Sequence, residues 1–154
     1  MRINYFTCTD TVTTLERNDI VDFLFKYLDQ YGDTRSAIRN AVEYALVPYP
    51  MAGGFILTAT EDDKIIGAVV MNHTGMSEYI PENILVYIAV HKKRRGEGIG
   101  KKLMNEAIRM AKGDIALHVE PDNPARLLYE RLHFTNKYLE MRYSNKKNLV
   151  NTAS

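Results

Sequence analysis

The chain has 154 residues, 45% of them hydrophobic and 25% charged, with 20 Lys and Arg against 19 Asp and Glu for a formal charge of +1. This is the composition of one globular domain that closes its own core, and it excludes a disordered chain, a collagen and a small disulfide scaffold. The near-zero charge offers no broad field to nucleic acid or an anionic membrane, and a single cysteine, Cys8, excludes an intrachain disulfide and any multi-cysteine zinc site.

From the amino terminus, residues 1–10 lack the basic start and apolar core of a signal peptide. Cys8 reads as a buried hydrophobe near an edge strand. Ile20, Phe23, Leu24, Tyr27, Leu28 and Tyr31 then recur at spacings of three and four, which predicts an amphipathic helix of about four turns with Thr13 and Glu16, or Asn18, at its start. Ile38, Ala41, Val42, Ala45 and Leu46 repeat the pattern behind Thr34, and Pro48 ends the second helix. The longest uncharged stretch, residues 44–60, is broken by Pro48, Pro50, Gly53 and Gly54 and falls short of the roughly 20 apolar residues of a membrane helix. A soluble, cytoplasmic protein with no membrane partner is the expectation.

The period then shortens. Residues 55–60 and 65–72 are β-branched and apolar runs around the charged turn Glu61, Asp62, Asp63 and Lys64, which predicts a hairpin. Residues 73–81 form a connection long enough to cover a site. Ile84 to Val90 is apolar throughout, the pattern of a strand buried on both faces at the centre of a sheet. A glycine-rich turn leads to a helix carrying Leu103, Met104, Ala107, Ile108 and Ala111, stopped by Gly113, and residues 115–119 make a further strand. Asn123 and Pro124 start a last helix, with Ala125, Leu128, Tyr129 and Leu132 on one face. Residues 137–143 are predicted to close as a strand. The order describes a mixed α/β domain over residues 1–143, followed by a polar tail, 144–154.

The turn Arg94-Arg95-Gly96-Glu97-Gly98-Ile99-Gly100-Lys101 sits between a strand and a helix, where glycines admit a ligand to the backbone and free amides at the helix start bind an anion. Lys92, Lys93, Lys101 and Lys102 add local positive charge. The dinucleotide fingerprint fails because Lys101 stands where its third glycine belongs, and the P-loop fails because only three residues separate Gly96 from Gly100. What remains is Arg95-x-x-Gly98-x-Gly100 directly behind an apolar strand.

That pattern resembles the coenzyme A signature of the GCN5-related N-acetyltransferase (GNAT) family, Gln/Arg-x-x-Gly-x-Gly/Ala between the fourth strand and the next helix. The resemblance continues in Asn123-Pro124-Ala125-Arg126-Leu127-Leu128-Tyr129-Glu130-Arg131-Leu132-His133-Phe134, except that His133 stands where the family usually has glycine. It implies a GNAT-like α/β fold: a central, mostly antiparallel mixed sheet, splayed at the cofactor site, with helices on both faces. It also implies acetyl-CoA as co-substrate without a metal, and an amine acceptor, either a small molecule or a protein amino group. The strand Ile88-Ala89-Val90 is expected to pair with the pantetheine arm through the main chain of Ile88 and Val90. The segment Gly96-Glu97-Gly98-Ile99-Gly100-Lys101, with Arg95, is expected to hold the pyrophosphate.

Direct transfer asks for a proton acceptor at the amine and a donor at the departing sulfur. Tyr129 is the candidate donor, since a phenol of reference pKa about 10 lies near a thiol; the competing reading is a core tyrosine. Asn123 caps its helix and only secondarily touches pantetheine. His118 is the candidate base, because related enzymes place a carboxylate five residues before the Asn; the competing reading is a structural histidine. Glu82 is its rival near the start of the fourth strand, and ordered water is a third option. Tyr44, Tyr49 and the Pro48/Pro50 kink are candidates to line the acceptor pocket; the competing reading is a core aromatic stripe. A non-catalytic acyl-CoA sensor is the alternative function, a nucleic-acid-binding role for residues 92–102 is disfavoured by the charge balance, and exposed edge strands suggest a homodimer.

Overall fold

The computed structural model describes residues 1–48 and 53–145. The elements run β1 (Arg2–Phe6), α1 (Thr14–Tyr27), a 3-10 turn (Asp29–Tyr31), α2 (Arg35–Ala45), β2 (Gly54–Glu61), β3 (Lys64–His73), β4 (Asn83–Val90), a second 3-10 turn (Lys92–Arg94), α3 (Ile99–Met110), β5 (Ile115–Leu117) and α4 (Ala125–Arg131). The five strands lie in sequence order, antiparallel through β4, with β5 parallel to β4. This is the expected mixed α/β architecture. None of the described helices is long and apolar enough to cross a membrane.

Local chemistry accounts for the boundaries. The Thr13 hydroxyl accepts from the Glu16 amide at 3.1 Å while the Glu16 carboxylate accepts from the Thr13 amide at 2.8 Å, a reciprocal cap that opens α1. Asp29, at φ +54°, turns the chain out of the helix. Thr34 caps α2 through the Ala37 amide. Asp62 and Asp63, at φ +51° and +59°, give the β2–β3 turn the handedness that matches strand twist.

The helices bury opposite faces of the sheet. Ile20, Leu24, Ile38 and Val42 of α1 and α2 pack on Ile56, Val70, Tyr87 and Ala89, whereas Leu103, Met104, Ala107 and Tyr129 of α3 and α4 pack on Leu57, Val69, Met71 and Leu85. Each fully buried Leu or Met side chain contributes about 1.5–3 kcal/mol. Gly67 in β3 lets α3 sit close, since a β-carbon there would lie 2.7 Å from Leu103 Cδ1.

Four expectations are corrected. A strand, β1, precedes the helices; among the described residues it pairs only with β2, at the sheet edge, and Cys8 beyond it is exposed. Residues 137–143 form no strand, and Tyr138, Leu139, Met141 and Tyr143 are exposed there. β4 is not buried throughout but alternates between buried and half-buried positions, and its neighbour β5 is short, ending at Leu117. Of the polar tail only residues 144 and 145 are described, and Tyr49 and Pro50 likewise lie outside the described residues.

Candidate active site

β5 pairs with β4 through Asn83↔Ile115, Ile84↔Ala116 and Leu85↔Leu117, and there it ends while β4 runs on to Val90. The two strands therefore part beyond Leu85. At the parting point β4 carries an extra residue: Val70 faces Tyr87 but Met71 faces Leu85, leaving Val86 as a bulge. Beyond it the His91 amide donates to the Ile66 carbonyl of β3, so by strand alternation Ala89 also turns its peptide groups to β3 and those of Ile88 and Val90 face the gap. An extended ligand entering the gap would find the strand edge open at Ile88 and at the Val90 amide.

The gap leads to the glycine turn. Gly96 and Gly98 have φ +83° and +84°, and a β-carbon on either would meet nothing within 4 Å, so the backbone stands open. The first intrahelical bond of α3 runs from the Lys102 amide to the Gly98 carbonyl. The amides of Ile99, Gly100 and Lys101 thus project from the helix start, where the dipole favours an anion. Lys92, Lys93, Lys101 and Lys102 are exposed around it.

The arginines serve otherwise. Arg94 pairs with Glu61 at 2.9 Å and with Glu97 at 3.0 Å, which makes Glu97 a counter-charge. Arg95 donates through Nε to the Val90 carbonyl at 3.1 Å, through Nη2 to the Tyr27 carbonyl at 2.8 Å and through Nη1 to Asp29 at 3.0 Å. It ties the turn to the end of β4 and to the end of α1.

Tyr129 lies in the α3/α4 cluster, 8% exposed, with its ring 5.9 Å from that of Phe134. Burial pushes its phenol up to about 12. It keeps its proton at any physiological pH and is fit to donate. Asn123 caps α4, its Oδ1 accepting from the Ala125 amide at 2.9 Å. His118 follows the last residue of β5 at the mouth of the gap and is exposed. Glu82 instead closes the turn after α3: it accepts from the Asp114 amide at 2.5 Å, which holds its carboxyl below the usual range, and a β-carbon on Gly113 would overlap it. A carboxylate so engaged is a poor base. His133 adopts φ +70°, the left-handed turn for which the family uses glycine.

Sequence reading missed the segment joining α1 to α2. Tyr87, turned to the α1/α2 face by the bulge, donates to Asp33 Oδ2 at 2.6 Å, and the Tyr31 hydroxyl donates to the Asp122 carbonyl at 3.2 Å. Burial first, and the Asp33 carboxylate next, push the Tyr87 phenol far above its ordinary value. These partners are 54 and 91 residues apart in the chain, so no local pattern announces them. Tyr44 donates to the His73 carbonyl at 2.8 Å. A separate cavity of about 540 Å³ under α1, lined by Arg2, Asn4, Glu16, Asp19, Thr58 and Thr60, lies at the β1 edge, far from the parting strands.

Comparison with known proteins agrees with this geometry. Residues 52–136 match the family model described as an acetyltransferase (GNAT) domain. Over 85 residues the chain is 32% identical to N-alpha-acetyltransferase 30 of Schizosaccharomyces pombe (strain 972 / ATCC 24843), covering 52% of this chain and 57% of that protein, so it spans little more than half of that relative's length. Among solved structures it resembles an aminoglycoside antibiotic 6'-N-acetyltransferase from Acinetobacter haemolyticus (TM-score 0.69, 18% identity, 94% of this chain and 98% of that one). It also resembles a ribosomal-protein-alanine N-acetyltransferase from Brucella melitensis biovar Abortus 2308 (TM-score 0.62, 17% identity, 94% and 99%). With the family model matched across more than half its length, the parted strands and the open glycine turn in place, this chain belongs to the GNAT acetyltransferase family.

Proposed function

We propose that the protein is an N-acetyltransferase that moves an acetyl group from acetyl-CoA to a primary amine by direct attack within a ternary complex. The observation that carries this reading is the gap between β4 and β5 running into the left-handed glycines at the start of α3. The residues present fit the cofactor: the peptide groups of Ile88 and the amide of Val90, whose carbonyl Arg95 engages, offer an edge for pantetheine, and the amides from Gly96 to Lys101, with the exposed lysines, offer a seat for pyrophosphate. Acetyl-CoA supplies an acetyl group activated as a thioester.

The remaining work falls to side chains. His118, when neutral, takes a proton from the acceptor's ammonium, which is the dominant form of an alkylamine at pH 7. Tyr129 donates from its hydroxyl to the departing sulfur. At a pKa of about 12 it acts by hydrogen bonding to developing charge rather than by giving up its proton outright. Arg95 positions the glycine turn, and Asn123 fixes the start of the helix that carries Tyr129. Small-molecule and protein amines are both compatible with this chemistry.

The test is calorimetric titration of acetyl-CoA, followed by thiol release with an amine panel. Gly98→Val should raise the Kd by about tenfold or more while the protein stays folded, because the added β-carbon meets no atom of the protein and costs only about 1–2 kcal/mol of left-handed strain. Undiminished affinity in folded Gly98→Val would show that the cofactor lies elsewhere. Binding without turnover on any amine would favour a sensor.

A further inference from the structure

We propose that Asp33 is the acceptor-recognition residue and that it selects amines bearing a second positive charge. The proposal rests on the acetyltransferase reading above. If the gap between β4 and β5 takes an extended cofactor whose phosphates sit at the start of α3, the segment joining α1 to α2 is the chain tied to both sides of that gap, and an acceptor approaching on that side meets it first. The segment Asp29–Tyr31 and its continuation to Asp33 cross that side. Arg95 anchors it to the glycine turn through Asp29, and Tyr31 anchors it to the loop before α4 through the Asp122 carbonyl. It bridges the two banks of the gap.

Asp33 is the charged group this bridge holds in place. The neighbouring carboxylates Asp22, Asp29 and Glu43 are each paired with an arginine, Arg35, Arg95 and Arg17 respectively. Asp33 is exposed and forms no ion pair among the described residues; its partner is the neutral phenol of Tyr87, at 2.6 Å. Tyr87 is 8% exposed and sits in β4 next to Ile88, whose peptide groups face the gap. A buried phenol on a rigid strand orients one carboxylate oxygen and leaves the other oxygen and the full negative charge for a ligand. With His118 the base at the reacting nitrogen, this carboxylate is left for another group of the acceptor. It is well suited to a second ammonium, whose pairing draws the neutral amine toward His118. Tyr87 is then a positioning residue.

The experiment compares matched acceptors by initial rates of thiol release: cadaverine against n-hexylamine, which has a methyl group in place of one amine, and short peptides with Lys against norleucine at the second position. Wild type should favour the dicationic member of at least one pair by about fivefold or more in kcat/KM, the scale of one partly screened ion pair. Asp33→Asn, which keeps the Tyr87 hydrogen bond but not the charge, should erase that preference through KM for the dicationic member and leave acetyl-CoA affinity unchanged. Tyr87→Phe should raise KM for the dicationic member and leave acetyl-CoA affinity intact. Equal rates within every pair, no turnover with any pair by a wild type that binds acetyl-CoA, or a preference surviving in Asp33→Asn would each overturn the proposal. Failure of wild type to bind acetyl-CoA would instead remove the reading beneath it.

Discussion

Tyr129→Phe separates function from stability, because turnover should fall while stability holds. The Tyr129 ring is buried, and burial is the sole cause of its raised pKa, but the hydroxyl is not enclosed: the buried side-chain polar atom without a partner among the described residues is Asn72 Oδ1. Removing a hydroxyl that solvent already reaches should change stability by no more than about 0.5 kcal/mol. For a domain of this length that keeps the melting temperature within about 2 °C of the original. In the reaction the same hydroxyl donates to a developing thiolate, and a hydrogen bond to a charged group is worth about 1.5–3 kcal/mol. At 1.36 kcal/mol per factor of ten, turnover should fall by about 10- to 150-fold. The assay is thiol release with a chromogenic reagent, run on a Cys8→Ser background since the exposed Cys8 would itself react. Alkaline titration provides a control. A phenol raised from 10 to about 12 contributes stability that is complete below pH 10 and lost as pH climbs toward 12, so the Phe variant should lose less in that window. A variant that melts lower but turns over normally would refute the reasoning and return Tyr129 to the core.

Other expectations can be checked alongside. His118→Ala should flatten the acidic limb of the kcat profile, since imidazole must be neutral to accept a proton; a normal acidic limb with normal turnover would leave ordered water as the base. His133→Gly should raise the melting temperature by about 1–4 °C, because glycine relieves about 1 kcal/mol of left-handed strain at φ +70°, part of which is offset by unfolded-chain entropy; no change or a fall would mean the imidazole makes a compensating contact. Arg95→Ala should weaken acetyl-CoA binding without altering its dependence on salt, as Asp29 already neutralises that charge, whereas Lys101→Ala should lessen the dependence; equal loss of slope would place Arg95 on the phosphates.

The elements legible in sequence were those whose signal is local. Thr13 with Glu16, Thr34, the Asp62-Asp63 turn and Asn123 declare themselves through side chains that bond to nearby backbone, and the glycines at 96 and 98 declare conformations that other residues adopt only at a cost. β1 was hidden because an edge strand buries little: Arg2 and Tyr5 are exposed and the stretch alternates poorly. Residues 137–143 carry a strand-like alternation, yet a strand exists only with a partner, and none of the described residues pairs with them. The site was legible in type and only partly in role. Arg95 belongs to the recognised motif, but its task is set by the end of α1, 66 and 68 residues away in the chain. Asp33 gave no signal at all, since what distinguishes it from other surface aspartates is the phenol of Tyr87.

The bulge at Val86 works like a reading frame. With Val86 present, Leu85 faces α3 and α4, Val86 and Tyr87 both face α1 and α2, and every later residue is read in the opposite phase from the one before it. Deleting Val86 would iron the bulge out without moving a side chain to another face, since Leu85 would still sit opposite Met71 and Tyr87 opposite Val70. Regular pairing with Val86 retained would do the reverse: with β3 holding the first part of the strand, Tyr87 would fall on the α3/α4 face, away from Asp33, and the peptide groups of Ile88 would turn from the gap toward β3. The edge offered to the cofactor and the carboxylate offered to the acceptor therefore both depend on this valine staying out of the pairing register.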